Sequence, residues 1–451
     1  AGFTGCQDAI HKKSGSAASR RDVVSALMIK IGCGWIVAIM LGMPLYASMG
    51  LAALAFLFFA GMPLTVLPQK MAGSINSFPI IAAPLFILMG NILAAARITD
   101  KIVAFASAVI GWVRGGYAHA SILTSMIFAG MVGSAVADAA GAGAIEVRAM
   151  RRAGYRPETA ASITAAAATI GPIIPPSLPM VIYGVTADVS IGKLFVAGVI
   201  PGVLMGLSLM GMVALIARRE GMGRKAFAGW GVVLKTFLDG FFALMTPLVI
   251  LGGIFSGVCT PTEAAAIACF YALFLGFVVY RTLRVEQLGP ILIETVETTG
   301  LVLVLVMAAG ALGWCMSISR LPQTLTPLIL ETIHSPWAFL LMANLLMLLI
   351  GCFMEALAAM LILIPILVPA ALSYGISPVQ FGVVMVLNLI LGTIHPPIGV
   401  VLFVVTRIAD VSFETMSRAI LPWLVPLLIV LMAISFWPPL TLWLPELVFA
   451  K

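Results

Sequence analysis

The sequence predicts an all-α polytopic membrane protein built from two inverted repeats. Three observations carry that prediction. The 451 residues are 62% hydrophobic and 10% charged, with a mean hydropathy of +1.14, whereas an ordinary globular chain carries roughly 25% charged residues. Long stretches hold no Asp, Glu, Lys or Arg, among them 31–69, 71–96, 115–137, 194–217, 240–262 and 356–406. An ordered set of short motifs occurs twice, once in each half.

Composition excludes a soluble enzyme, a nucleic-acid binder and a disordered scaffold. The net charge of +7 suggests a polyanion partner, yet the basic residues sit in short loops, as the positive-inside rule expects. No nucleic acid is expected to bind. A bilayer core about 30 Å thick takes roughly 20 apolar residues of helix. Lipid leaves only helices or closed barrels as spanning structures, and the short alternating segments of a barrel are missing. The six cysteines are scattered with no CxxC pair, so they read as small apolar residues.

Ten spanning segments follow, at roughly 24–42, 46–67, 79–96, 158–187, 194–217, 236–257, 262–280, 294–318, 379–406 and 420–444. Two further elements, about 118–147 and 336–370, read as re-entrant hairpins. Arms of about 14 or 15 residues reach roughly 21 Å, too short to cross. Residues 1–22 are polar and basic and read as a tail, or as the end of a linker from an upstream segment. The first repeat is 23–225 and the second 226–451.

The repeats pair residue by residue. Gly154 matches Gly375, Pro157 matches Pro378, and Pro175-Pro176 match Pro396-Pro397, at one shared offset. The tetrapeptide Ala-Asp-Val-Ser is identical at 187–190 and 409–412. Arg148, Arg151, Arg152 and Arg156 place the loop before 158 on the cytoplasmic side, and the arginines near 218–224 and 281–284 lie on the same side. The matching loop at 371–378 has no Lys or Arg and belongs outside. Equivalent loops on opposite sides mean inverted repeats, a transporter signature.

The chemistry belongs where helices cannot continue. Segment 158–187 would run about 45 Å as one helix, and it contains Pro172, Pro175, Pro176 and Pro179. Each interior Pro costs roughly 3 kcal/mol, so the helix breaks at 170–177, and its counterpart breaks at 392–399. Broken backbone at membrane depth is tolerated where it lines a cavity. Freed carbonyls suit Na⁺, and half-helix N-termini attract anions.

Each hairpin tip is a Gly-started turn followed by an acid: Gly133-Ser134 with Asp138, and Gly351-Cys352 with Glu355. An intramembrane acid is costly and is a functional candidate, while a helix N-cap is an equal reading of both. His395 in the second break reads as substrate or proton carrier, or as hydrogen-bonded structure. Asp188 and Asp410 read as loop caps. There is no G-x-x-x-x-G-K-[ST] to hydrolyse ATP and no H-E-x-x-H. A transporter is therefore expected, not an enzyme. An intramembrane aspartyl protease using Asp138 and Glu355 and a channel are the weaker alternatives.

Several runs together resemble a known family: GSAVADAAGAGAIEVRAMRRAGYRPETAASITAAAATIGPIIPPSLPMVIYG, then GVCTPTEAAA, then GCFMEALAAMLILIPILVPA, then GTIHPPIGVVLF. From about residue 31 the chain resembles the large membrane subunit of tripartite ATP-independent periplasmic (TRAP) transporters. The resemblance implies the ion-transporter-superfamily fold and an elevator domain made of the two hairpins and two broken helices. It implies a bacterial inner-membrane location and a small four-helix membrane subunit, sometimes fused upstream. A periplasmic binding protein would deliver an organic acid, and Na⁺ would be the coupling ion with no other cofactor.

By the same resemblance, one Na⁺ site involves Gly133 and Ser134 with Thr169, Gly171 and Pro172. A second involves Gly351 with Gly392, Thr393 and Ile394, mainly through carbonyls. Substrate lies near Ser134, Asp138, Ser177, Glu355, His395 and Gly399. Two positions depart from the family pattern: Val132 stands where the first tip often has Ser, and Glu355 where the second hairpin often has Asp. Sialic acid, C4-dicarboxylates, keto acids and sugar acids remain open as substrates. A stand-alone sodium/divalent-anion symporter needing no binding protein is the rival reading.

Overall fold

The structure, a computed structural model, describes residues 27–39, 41–132, 135–219, 224 and 226–449. The tail 1–22 and the tip residues Gly133 and Ser134 lie outside these residues. Among the described residues every regular element is a helix. Eight helices there are long and apolar enough to cross a membrane. Six coincide with predicted spans, and the other two are the arms of the second hairpin, Pro336–Phe353 and Ala356–Ser373. Large apolar side chains face outward: Trp230 is 78% exposed, Phe270 74% and Leu345 73%. A surface of that kind is suited to lipid rather than water, and the protein is a multi-pass membrane protein.

Two packing units divide the chain. One draws on Ala1–Ser77, Gly300–Ser335 and Leu361–Tyr374, the other on Phe78–Thr299, Pro336–Met360 and Gly375–Lys451. Each takes segments from both sides of residue 225, so packing cuts across the sequence halves.

In the first unit the single span predicted over 46–67 is corrected. Helix Leu45–Phe59 stops and Val66–Ile75 follows. Gly61 has φ +68°, and the Met62 N–H reaches back to the Leu57 carbonyl at 2.9 Å. That is a Schellman stop, which glycine reaches without steric cost. Pro63 then supplies no N–H to resume the helix. The apolar run through this turn hid the stop. Helix Leu321–Thr332, which was not predicted, opens at Arg320 in the left-handed region with Pro322 in its first turn. Trp35 Nε1 donates to Ser48 Oγ at 3.0 Å, and the Lys70 ammonium lies 5.1 Å over the Trp314 ring.

The second unit holds the two breaks. The first broken helix is Pro157–Ala168 and Leu178–Thr186, and the second is Pro378–Gly392 and Val400–Ala409. Their interruptions cover the Pro pairs, as the sequence predicts, and Pro175-Pro176 and Pro396-Pro397 are both cis. The two Ala-Asp-Val-Ser segments make the same turn. Asp188 and Asp410 have φ +55° and +56°, a region Asp enters more readily than most residues. Ser190 and Ser412 then accept from Lys193 and Thr415 N–H at 3.4 and 3.3 Å and start the next helices.

The hairpin arms correct another expectation. Arms of 14 or 15 residues were predicted, but Gly116–Val132 has 17, and Pro336–Phe353 and Ala356–Ser373 have 18 each. Eighteen residues reach about 27 Å, so arm length alone does not separate a re-entrant hairpin from two crossings. After the first tip the chain forms two helices, Ala135–Ala140 and Ala142–Arg152. Helix Ile98–Ile110 was also missed, because Asp100 and Lys101 interrupt the apolar run. The span predicted over 420–444 ends at Phe436, and Pro439–Phe449 begins anew.

Helix Pro336–Phe353 runs beside Pro378–Gly392 in the same direction. Phe339 stacks on Phe381 at 6.1 Å. Asn388 Nδ2 donates to the Asn344 carbonyl and to Asn344 Oδ1 at 2.9 and 2.7 Å. Asn344 Nδ2 in turn donates to Ser435 Oγ at 3.0 Å. Such bonds between membrane helices average about 0.6 kcal/mol, but buried amides tolerate few alternative partners, so the network sets register. The two helices therefore end level with each other, at Phe353 and Gly392.

Candidate functional site

Both breaks begin alike. The first halves end at Ala168 and Gly392, and each is followed by a threonine. Thr169 Oγ1 donates to the Ala166 carbonyl and Thr393 Oγ1 to the Ile390 carbonyl, each at 2.6 Å. With the hydroxyl proton turned back, the oxygen lone pairs remain free to meet a cation.

In the first break no backbone N–H donates to the Thr169 or Gly171 carbonyl among the described residues. Ser177 closes the break. Its hydroxyl donates to the Pro172 carbonyl and accepts the Met180 N–H, which caps Leu178–Thr186. Helix Ile191–Arg219 lies against this break through Gly198 and Gly202. A Cβ on Gly198 would strike the Ile173 carbonyl, and one on Gly202 the Ile174 side chain. Small residues four apart allow this approach. The signal was present in the sequence as Gly198, Gly202 and Gly206, but it was not read.

The second break is fastened to the second hairpin tip. A Cβ on Gly392 would lie 2.6 Å from Gly351 Cα and 2.9 Å from its carbonyl oxygen. The Gly399 N–H donates to the Cys352 carbonyl at 3.2 Å. Gly399 has φ +58°, and a Cβ there would also sit 2.9 Å from the Thr393 carbonyl oxygen. Of the three carbonyls expected to hold a cation here, Gly392 accepts from His395 N–H at 3.1 Å and Thr393 from Val401 N–H at 3.0 Å. Each keeps one lone pair, and the Ile394 carbonyl has no backbone donor among the described residues.

A cavity of about 50 Å³ joins the hairpins to the breaks. It is lined by Ala135 and Val136, by Pro172, Leu178 and Pro179, by Glu355, Ala356 and Leu357, and by Ile390, Thr393 and Val400. Three helices of eight residues or more begin on it: Leu178–Thr186, Ala356–Ser373 and Val400–Ala409. Among the described residues no Lys or Arg lines it. N-terminal peptide dipoles, each helix start carrying about half a positive charge, are opposed there by the Glu355 carboxylate that lines the same cavity. Glu355 is exposed at this cavity, and its Oε2 accepts the Ala358 N–H at 3.1 Å. The capping reading of Glu355 therefore holds, and the same carboxylate also lines the cavity.

Asp138 lies elsewhere. It is 3% exposed, its carboxylate faces the Ser125 hydroxyl without a hydrogen bond of normal geometry, and it does not line the cavity. Glu146, also buried, was not singled out from the sequence. Ser121 Oγ donates to its Oε2, while Oε1 has no partner. Gly143 packs against Thr164, where a Cβ would be 2.6 Å from Thr164 Cγ2. Among the described residues no Lys or Arg is buried, so neither acid has a buried basic side chain to balance it. Of the predicted residues, then, Pro172, Glu355 and Thr393 share the cavity. Ser177, Gly351, Gly392 and Gly399 shape its surroundings, and His395 turns toward Cys352, with Nδ1 3.2 Å from the sulfur.

Paired breaks meeting paired hairpins at a cavity faced by helix N-termini define a membrane transporter of the broken-helix class. Residues 33–440 match the family described as the tripartite ATP-independent periplasmic transporter, DctM component. The chain belongs to that family. It is 45% identical over 415 residues, 92% of this chain and 97% of the relative, to the sialic acid TRAP transporter large permease protein SiaM of Vibrio cholerae. It is 38% identical to the sialic acid TRAP transporter permease protein SiaT of Haemophilus influenzae, covering 92% of this chain and 67% of that one. The C4-dicarboxylate large permease protein DctM of Pseudomonas aeruginosa is 36% identical, over 88% of this chain and 94% of its own. In fold the chain is similar to the crystal structure of the Alcanivorax borkumensis YdaH transporter, with TM-score 0.62 and 16% identity over 83% and 88% of the two chains.

Proposed function

We propose that the protein takes up an organic acid anion across the bacterial inner membrane, driven by Na⁺. A periplasmic binding protein delivers the anion, and a small four-helix membrane subunit works beside the chain. The observation that carries this reading is the cavity on which three helix N-termini converge, only one of them, that of Ala356–Ser373, being met by an acidic side chain, Glu355. The N-termini at Leu178 and Val400 have no acid in their first turns and favour an anionic group on the solute. The relatives named for sialic acid, C4-dicarboxylates and 2,3-diketo-L-gulonate share that chemical class.

Na⁺ enters the proposal through the breaks. The Thr169, Gly171 and Ile394 carbonyls and the Thr169 and Thr393 hydroxyl oxygens offer hard oxygen donors. Asp138 offers a buried negative charge without a basic partner. Ordering the tips over Na⁺ completes the anion site, and the loaded elements then move together in an elevator step. The second tip ends level with the break of a helix that crosses in two halves, which puts it near mid-depth. A cavity of about 50 Å³ is well below the roughly 300–1,000 Å³ of small-molecule sites, so the tips must part to admit the anion.

The test is uptake into proteoliposomes holding this chain and its small partner, with binding protein loaded first with sialic acid. Uptake is expected only when an inward Na⁺ gradient and the binding protein are both present. Na⁺-driven uptake without the binding protein would replace this reading with the stand-alone symporter. Equal uptake in Na⁺ and K⁺ would remove Na⁺ from the mechanism.

A further inference from the structure

The loop after helix Ile98–Ile110 and the start of helix Trp230–Phe255 form an aromatic cluster at one end of the bundle. Trp112 meets Phe227 edge-on with ring centroids 5.9 Å apart, and Phe227 meets Trp230 at 5.4 Å. Trp112 Nε1 donates to the Val109 carbonyl at 3.0 Å, which fixes its ring. All three rings remain exposed. Arginines border the cluster. Arg114 lies just beyond Trp112, and Arg218 and Arg219 end helix Ile191–Arg219, after which the chain returns to Phe227. A Cβ on Gly206 would strike the Met126 side chain. About ten residues of helix lead from Met126 back to Gly116, and about as many lead from Gly206 to Arg218. With both ends on the side that the basic loops mark, Arg218 and Arg219 come level with Arg114. All three arginines are exposed, and among the described residues none makes an ion pair. The stretch 218–230 carries Arg218, Arg219, Arg224 and Lys225 against one acid, Glu220. Asp100 is at the far end of helix Ile98–Ile110, and Asp239 is well inside Trp230–Phe255.

We infer that Trp112, Phe227 and Trp230, with Arg114, Arg218 and Arg219, form a binding site for an anionic phospholipid of the cytoplasmic leaflet. Charge complementarity selects the occupant. Guanidinium groups pair with phosphate oxygens at two points, and basic side chains next to a membrane helix are drawn to anionic lipid. Tryptophan sits at the depth of the headgroups, with its ring against the glycerol and upper acyl carbons and its polar edge toward water. A zwitterionic lipid offers the same phosphate but brings a cation beside it, which the arginines repel. An anionic lipid brings none, so the surface discriminates by net charge as well as by shape. The cluster joins the loop that enters the first hairpin arm, Gly116–Val132, to helix Trp230–Phe255. A lipid held there steadies the base of that arm, away from the cavity.

The test titrates the purified chain in detergent with phosphatidylglycerol, and separately with phosphatidylcholine of the same acyl chains. Native mass spectrometry reads the lipid retained per chain. Phosphatidylglycerol is expected to bind at least tenfold more tightly than phosphatidylcholine. Arg218→Gln and Arg219→Gln together are expected to remove that preference, and Arg114→Gln carries the comparison if the double variant does not purify. Trp112→Ser with Trp230→Ser is expected to weaken both lipids. Arg281→Gln with Arg284→Gln removes two exposed charges from another basic loop, where the nearby Tyr280 ring is already faced by Lys101. That pair is expected to leave the preference unchanged. Equal binding of the two lipids by wild type, or equal loss of preference in both arginine pairs, would overturn the site. A dimer that forms without lipid and is lost in Trp230→Ser would give the surface to a second copy of the chain and overturn it as well. None of these readouts depends on transport.

Discussion

Gly392→Ala reduces uptake to a tenth of the wild-type rate or less, while the purified protein still folds and melts only slightly lower than wild type. Gly392 ends the first half of the second broken helix, where alanine is favoured over glycine by about 1 kcal/mol. Helix stability therefore does not suffer. The added Cβ instead meets Gly351 backbone atoms at 2.5 to 2.9 Å, and backbone cannot turn aside as a flexible side chain can. Overpacking of this kind costs about 1–3 kcal/mol. The relief available is displacement of the tip, which moves Gly351 and the Cys352 carbonyl away from the break. Gly211→Ala, with nothing within 4 Å of its Cβ, leaves uptake unchanged in the same assay. A Gly392→Ala protein that transports like wild type would show that the tip does not work in contact with the break.

Asp138→Asn weakens the Na⁺ stimulation of uptake and raises the half-saturating Na⁺ concentration at least tenfold. Asn matches Asp in size, so packing is kept and only the charge is lost. Asp138 is buried with neither oxygen in a hydrogen bond of normal geometry, and Glu146 has one unpartnered oxygen nearby on the same hairpin. Two buried acids without a basic partner are expensive to ionise. On the proposed coupling, a Na⁺ ion that arrives with the transport cycle supplies the missing charge, and its affinity should fall when one acid is made neutral. The measurement is initial uptake against Na⁺ concentration. An unchanged half-saturating Na⁺ concentration in Asp138→Asn would contradict the assignment of this acid to coupling.

How much of this was legible depended on the kind of signal. The breaks were legible because Pro pairs and a 30-residue segment cannot coexist in one straight helix. The repeated Ala-Asp-Val-Ser was legible as an end-of-helix signal, since Asp tolerates positive φ and Ser caps the next helix. Helix stops inside apolar sequence were not: hydropathy runs through Gly61 and Pro63 as though the helix continued. Conversely, Asp100 and Lys101 hid a real helix, Ile98–Ile110. At the site, the first break and Glu355 were singled out from residue type and position, and the individual break residues from the family resemblance. The Gly198–Gly202 face was missed because its role is to let another chain segment approach, which no single glycine announces. Glu146 was missed because it shares a helix with Arg148, Arg151 and Arg152 and so resembled the charged end of an interfacial helix. The convergence of three helix N-termini on one cavity is a property of tertiary packing.

The central claim is that Na⁺ held at both breaks assembles the anion site. The most direct measurement is the number of Na⁺ ions moved per anion, from paired sodium and substrate fluxes in proteoliposomes with the loaded binding protein. Two breaks with matching donors predict at least two Na⁺ per anion, falling by one when Asp138 is replaced by Asn. Substrate uptake with no accompanying Na⁺ flux would contradict the account.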